Sequence, residues 1–398
     1  MAGRWRRTWG IVGFGTFAYT FLMFIWFSLP AFLTPIVEDI GLTSTQAGIL
    51  VGAVPATYIP LALGTGLAVD RIGPGRTIGL GVLCYGIAQI GRSTATTFPT
   101  LLLWTILIGV GATTITFGLP KLVAILFPPD RTGSPSSLYL IGASAGSATV
   151  FATGRPYLGP ALGGWREVFF WSGVAAVGYG LIWLLFTIGL GIDRKVANGA
   201  SSRAAMLSDL RLVLGNRNLQ LLVVIGTMYL LLNHGLQGWL PTLLESRGME
   251  AGLAGQATSV FVISLAVGTL SIPALADRYR VRCRALTVCG LTIVAGITLL
   301  AFLQLGVPIY IAILITGIGI GGIGPLLRAI PPALDGLGPR LTGTAVGFIF
   351  AVGEIGGFLG PFLIGFLHDL TGSYMPGLTV LGLGGWAIVL ATLRIGDV

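Results

Sequence analysis

Four side chains carry a charge or a titratable ring inside long apolar runs: Lys121, His234, Arg328 and Glu354. An ionisable group in hydrocarbon costs at least about 2.5 kcal/mol, so it is kept for a partner, a pathway or a ligand. Glu354 is the one carboxylate of this kind, suited to carry a proton, bind a cation or balance an arginine; a carboxyl merely hydrogen-bonded between helices is the alternative. Lys121 and Arg328 sit at matching depths in two different runs. Two convergent cations suit a small anion, the lysine as a point charge and the arginine as a planar fork able to hold an oxyanion with two bonds. As gate residues they would instead snorkel or pair with Asp130 and Asp335. Tyr229, Asn233 and Gln237 accompany His234 at helical spacings of three to four, offering a solute hydrogen bonds, while the imidazole either titrates or packs. Tyr19 adds a hydroxyl in the first run beside Thr16 and Thr20, and Thr113, Thr114 and Thr116 do so in the fourth, though most such threonines bond the preceding turn.

These groups need elements that cross a low-dielectric layer, and composition supplies them. The 398 residues are 54% apolar and 9% charged, far below the roughly 25% charge of a soluble domain, which makes the chain an all-α integral membrane protein. The apolar runs fall near 10–36, 45–69, 77–97, 100–126, 134–158, 167–191, 218–243, 252–276, 285–304, 307–331, 342–367 and 375–395. Each reaches the roughly 20 residues that span a hydrocarbon core, giving twelve transmembrane helices. Of 23 Lys and Arg, Arg92, Arg155, Arg166 and Arg247 lie towards one face. The remainder lie towards the other, so both termini are expected in the cytoplasm of a cell-membrane protein. The net charge of +9 follows from that topology and implies no nucleic-acid partner. Arg4 to Arg7 ahead of an apolar run imitates a signal peptide, but the run continues past Pro30 without a small-residue cleavage site and reads as a retained span. Cys84, Cys283 and Cys289 have no ligand spacing, and no metal or other cofactor is expected. A phosphate-binding loop is absent, as is any grouping of nucleophile, base and orienting residue, so neither ATP hydrolysis nor enzymatic catalysis is expected. The spans divide into bundles over 1–192 and 218–398, joined by a hydrophilic cytoplasmic linker, 193–217.

The order of the chain is that of a duplication. Asp70-Arg71 recurs as Asp277-Arg278, and Gly41, Ala47 and Gly48 recur as Gly248, Ala254 and Gly255, all at an offset of 207 residues, as from 70 to 277. Four further residues of offset bring Ser28-Leu29-Pro30 over Trp239-Leu240-Pro241. A repeat of this length fits a duplicated membrane half and is too long for a solenoid.

Two six-span halves, with Gly66-x-x-x-Asp70-Arg71-x-Gly73 and Arg76 between spans 2 and 3 and an echo between spans 8 and 9, resemble the major facilitator superfamily. The resemblance implies two pseudo-symmetric six-helix bundles around a central cavity, rocking in alternating access, with spans 1, 4, 7 and 10 as the main lining. It makes Gly66, Asp70, Arg71, Gly73 and Arg76 a conformational latch, with Asp130, Asp277, Arg278 and Arg340 in the same charge cluster. Pro74-Gly75 departs from the usual basic residues of that motif. Thr105 stands where proton-coupled drug exporters have an arginine four residues before Gly109-Val110-Gly111. Gly159 to Gly164 copies an antiporter string, yet it lies 28 residues past Arg131, about 42 Å along a helix, and is expected at the outer end and loop. Gly235 to Thr242 and Gly164-Trp165-Arg166 resemble the nitrate and cyanate permease-like branch, without the glycine-rich motif of nitrate carriers. The expectation is a monomeric secondary transporter of a small organic or inorganic anion, with possible coupling to protons or a counter-solute. A proton-coupled drug or metabolite exporter is the alternative.

Overall fold

With no water available in hydrocarbon, an apolar run satisfies its backbone N–H and C=O groups internally and becomes helical. A computed structural model describes residues 2–128, 131–195, 215–334 and 338–395. Among them are twelve long helices: α1 (Ala2–Ala31), α2 (Ser44–Ile72), α3 (Pro74–Ser93), α4 (Phe98–Leu126), α5 (Gly133–Thr153), α6 (Trp165–Leu190), α7 (Arg217–Ser246), α8 (Ala251–Tyr279), α9 (Arg282–Phe302), α10 (Val307–Ala329), α11 (Gly338–Thr371) and α12 (Met375–Thr392). Ten are long and apolar enough to cross a membrane. The other two, α3 and α5, have the length, 20 and 21 residues, but are diluted by glycine, serine and threonine.

Element ends follow proline and glycine. The first helix breaks at Phe32, just past Pro30, which has no N–H to donate. The expected run 10–36 is therefore two pieces, α1 and a short helix Leu33–Ile40 that stops at Gly41 in the left-handed region, φ 73°. Beyond α5 the chain widens into a π turn at Gly154–Leu158, around Pro156, and regains an α turn at Gly159–Leu162. The Gly159 to Gly164 string, expected at an outer end and loop, is thus divided between a last helical turn and the reversal at Gly163 and Gly164, φ 108° and 134°.

Contacts separate the chain into two units, Met1–Leu42 with Pro60–Ala200, and Thr43–Ile59 with Ser201–Val398, so the division passes through α2. Within unit 1, α1 packs along α5, and α3 packs on α4 and α6. Unit 2 repeats this as α7 along α11, with α9 on α10 and α12, and also packs α8 on α10.

The repeated pairs meet through glycine. Gly142 and Gly146 of α5 lie against Thr16 and Thr20 of α1, so close that a Cβ on Gly146 would overlap the Thr20 carbonyl oxygen. Gly356 and Gly360 of α11 lie in the same way on Thr227 and Leu231 of α7. Lipid offers no hydrophobic drive for helix association, so backbone approach of this kind, with its dispersion contacts, holds the pairs.

Candidate functional site

In unit 2, α7, α10 and α11 bring four of the expected residues together. Glu354 projects from α11 towards α7, where His234 Nε2 stands 3.7 Å from Glu354 Oε2, beyond hydrogen-bond reach. The side chains are 10% and 14% exposed. Glu354 Oε2 is buried and has no hydrogen-bond partner among the described residues. Gly357, nearly one turn on, keeps this space open: a Cβ there would stand 2.6 Å from Glu354 Oε2 and 3.0 Å from His234 Cδ2. Asn233 Oδ1 accepts from Gln237 Nε2 at 2.9 Å one turn apart on α7.

Arg328, on the last turn of α10, is exposed, with its guanidinium 4.2 Å over the Phe350 ring of α11 and Nη1 donating to the Gly324 carbonyl at 3.3 Å. Tyr229 reaches the same place: a Cβ on Gly324 would stand 2.9 Å from the tyrosine hydroxyl oxygen and 3.6 Å from Arg328 Nη1. Tyr229 is within electrostatic reach of both Arg328 and Glu354. Among the described residues no carboxylate lies within ion-pair distance of Arg328.

In unit 1 the expected solute-binding lysine and the expected latch carboxylate are one pair, with Lys121 Nζ 2.9 Å from Asp70 Oδ1 and both side chains about two-fifths exposed. Tyr19 stacks on Tyr139 of α5, ring centroids 6.2 Å apart. Gly66 faces open space, and Arg71 is exposed. Gly73 and Gly75 make room for Asp193, whose carboxylate accepts from the backbone N–H of Gly75 at 2.8 Å and of Arg76 at 3.0 Å. Gly73, at φ 96°, holds a backbone region that favours glycine. In unit 2, Asp277 pairs with Arg282 at 2.7 Å, and Arg282 also donates to the Ala329 carbonyl, while Arg278 lies over the Tyr279 ring. Asp130, Asp335 and the Arg340 side chain lie outside the described residues.

Three residues gain roles that their spacing does not reveal. Asp193, read as the start of the linker, caps α3. Arg92, expected near the outer boundary, is 1% exposed: its Nε donates to Thr105 Oγ1 at 3.1 Å and its Nη1 to the Ile25 carbonyl at 3.3 Å. Its partners are neutral oxygens on α1 and α4 and, at 3.4 Å, Gln89 Oε1 on α3, and Gln89 in turn bonds Ser28 and Ser172. Asp369, in the last turn of α11, accepts from the N–H groups of Ser44 and Thr45, which open α2, at 3.0 and 2.7 Å. An acid at the negative end of its own helix dipole is the signal that could have exposed it.

Paired helix bundles with costly charges held among their helices define the class, a polytopic membrane carrier. The chain belongs to the Major Facilitator Superfamily, whose family model matches residues 15–361. It is 26% identical to the cyanate transport protein CynX of Escherichia coli over 365 residues, covering 90% of both proteins. To the 3-(3-hydroxy-phenyl)propionate transporter of the same organism it is 28% identical, covering 90% of this chain and 89% of the relative. A bacterial homologue of the lysosomal transporter Spinster, solved inward-facing and unoccupied, shares the fold at TM-score 0.76 and 18% identity, over 97% of this chain and 94% of that one. The nucleoside transporter NupG does so at 0.75 and 14%, over 96% and 98%. The protein is a multi-pass membrane transporter.

Proposed function

We propose that the chain moves a small organic or inorganic anion across the cell membrane by alternating access, with Arg328 as the group that receives the charge. The observation that carries this is Arg328 itself, an exposed guanidinium stacked on Phe350, beside Tyr229, with no carboxylate to neutralise it among the described residues. Relatives named for cyanate, 3-(3-hydroxy-phenyl)propionate and tartrate support an anionic solute. Asn233, Gln237 and His234 supply further hydrogen-bonding groups on α7, Tyr19 does so from α1, and Lys121 becomes a second cation when Asp70 releases it. All twelve long helices span the bilayer, with the termini in the cytoplasm, and the protein works as a monomer. Its bundles are 1–192 and 218–398, with 193–217 as linker and Asp70, Arg71, Arg76, Asp277 and Arg278 as charges of the cytoplasmic latch.

Thermal unfolding of the purified chain with cyanate, tartrate or 3-(3-hydroxyphenyl)propionate tests this, since a ligand at 100 times its Kd stabilises the folded form by about 2.7 kcal/mol. At least one anion is expected to raise the midpoint in wild type and not in Arg328→Gln. No response to any anion, with resistance of cells to lipophilic cations that Glu354→Gln abolishes, would replace the reading with that of an exporter.

A further inference from the structure

The helices α8 and α9 follow one another, yet each packs mainly on α10 and little on the other. Where they meet at the α8–α9 turn they leave a groove of about 230 Å³, lined by Ile272, Leu275, Ala285 and Val288 and by Tyr279 and Arg284. Leu275, Tyr279 and Val288 are each more than half exposed, so the groove opens on the outside of unit 2. An apolar wall on the outside of a membrane protein faces acyl chains, and an exposed tyrosine suits the level of the headgroups.

Charge at that level is one-sided. Residues 277–284 hold four arginines and one carboxylate, and that carboxylate, Asp277, is taken by Arg282 at 2.7 Å. Arg278, Arg280 and Arg284 are exposed, and among the described residues no carboxylate lies within ion-pair distance of them. At the offset of 207 residues, Arg280, Arg282 and Arg284 stand where unit 1 has Gly73, Gly75 and Thr77. Gly73 takes φ 96° at no steric cost, whereas Arg280 takes φ 54°, the one positive φ outside glycine among the described residues. A side chain kept where its Cβ is sterically unwelcome points to a use for that side chain. Arg280 stands between Tyr279 and Val281, which both line the groove.

We propose that this groove binds an anionic phospholipid, with an acyl chain along Leu275 and Val288 and the phosphate received by Arg280 and Arg284. A guanidinium holds phosphate oxygens through two parallel bonds. A free phosphate would use the arginines and leave the apolar wall idle; a zwitterionic lipid would use the wall, but its own ammonium would offset the arginines. Only a lipid with net negative charge matches both features. The site is independent of whichever solute Arg328 receives.

Photo-crosslinking of the full chain in phosphatidylcholine nanodiscs, with trace phosphatidylglycerol carrying a diazirine on one acyl chain, tests this. In wild type the label is expected on residues 272–288, in at least fivefold excess over that from phosphatidylcholine carrying the same diazirine. An arginine beside an anionic headgroup contributes about fivefold in affinity, so Arg280→Gln with Arg284→Gln is expected to lower the label by about 25-fold. Labelling at the outward-facing Leu185 of α6 should not change, which reports an intact fold. Ala285→Phe, which fills the groove and keeps the arginines, is expected to lower the label too, and decides the matter if the double variant does not fold. Equal labelling by the two lipids, or undiminished labelling in a folded variant, overturns the site. Displacement of the lipid label by millimolar inorganic phosphate overturns it in favour of a free-phosphate site.

Discussion

Replacing Asp369 with alanine should unfasten the first turn of α2 and little else. That turn has its own capping box: Thr43 Oγ1 accepts from the Gln46 N–H at 3.2 Å, and Gln46 Oε1 accepts from the Thr43 N–H at 3.1 Å. The N–H groups of Ser44 and Thr45 are left over, and Asp369 takes them at 3.0 and 2.7 Å, with a further bond from the Thr45 hydroxyl. Two bonds at about 0.5–1.5 kcal/mol each, and about 0.3–1 kcal/mol for an anion at a helix N-terminus, sum to about 1–4 kcal/mol. Asp369 is exposed, so solvent screening places the loss near the lower end, about 1–2 kcal/mol.

A change of that size alters an opening equilibrium by a factor of about 5–30. Amide hydrogen exchange reads it directly, because Ser44 and Thr45 exchange through local opening of this turn. In Asp369→Ala their exchange should accelerate by about 5–30-fold, while Gln46, still capped by Thr43, changes less. Neighbouring contacts restrict how far the turn can move: Gly365 of α11 lies on the Ser44 carbonyl, and His368 Nδ1 is 2.8 Å from Ser44 Oγ. Unchanged exchange at Ser44 and Thr45 would refute the account. So would equal acceleration at Gln46, which would mean that the whole end of α2 had come away.

Gly146→Val and Gly360→Val each drive a side chain into a backbone oxygen of the facing helix, and should cost about 3 kcal/mol or more, read as a lowered unfolding midpoint or loss of the monodisperse peak. Gly347→Ala, where nothing lies within 4 Å, should be neutral or stabilising by about 0.5–1 kcal/mol. Arg92→Met strands Gln89 Oε1 in a buried setting and removes one of the donors to the Ile25 carbonyl, which keeps the Ser28 hydroxyl, and should lower stability by about 1–3 kcal/mol, with Thr105→Val losing less; equal stability of Arg92→Met and wild type would show that dehydration of the guanidinium cancels its bonds. A double-mutant cycle on Lys121→Ala and Asp70→Ala should give a coupling of about 1 kcal/mol or less that shrinks with added salt, as suits an exposed pair.

The parts of the structure governed by periodicity and by proline or glycine were legible in the sequence. Apolar length gave the helices, and the Asp-Arg repeat gave the duplicated order. The cost of charge in hydrocarbon singled out Glu354, His234 and Arg328, which unit 2 gathers with Tyr229. Partnership between distant residues was not legible. Sequence proximity offers Asp130 and Asp335 to Lys121 and Arg328, yet Asp70 takes Lys121, because α2 returns beside α4 and no local pattern encodes that return. Arg92 looks peripheral because its run ends nearby; beside Gln89 on its own helix, two of the oxygens that make its burial tolerable come from other helices, α1 and α4. The π turn at Gly154–Leu158 was hidden for a different reason, since Pro156 signals a disturbance without saying whether the helix stops or widens.

Duplication and divergence can be separated by aligning the two units on their glycine contacts. Thr16 and Thr20 map to Thr227 and Leu231, each 211 residues on, while Gly142 and Gly146 map to Gly356 and Gly360, each 214 on. The same offsets place Met23 opposite His234 and Leu140 opposite Glu354, so the titratable pair belongs to unit 2. The cations behave otherwise. Lys121 and Arg328 are 207 residues apart, the offset that relates Asp70 to Asp277, so a cation and a carboxylate stand at equivalent places in both units. Only their partners differ: Asp70 neutralises Lys121, whereas Asp277 is taken by Arg282, leaving Arg328 to Phe350 and Gly324. Removing Arg282 should therefore make Asp277 available to Arg328, as Asp70 is to Lys121. Arg282→Ala is expected to weaken cyanate or tartrate binding through Arg328, and Arg282→Ala with Asp277→Asn, which equally lacks the bond from Arg282 to the Ala329 carbonyl, to restore it. Unaltered binding in Arg282→Ala would mean that Asp277 cannot reach Arg328, and that the difference between the units lies in the backbone rather than in the choice of partner.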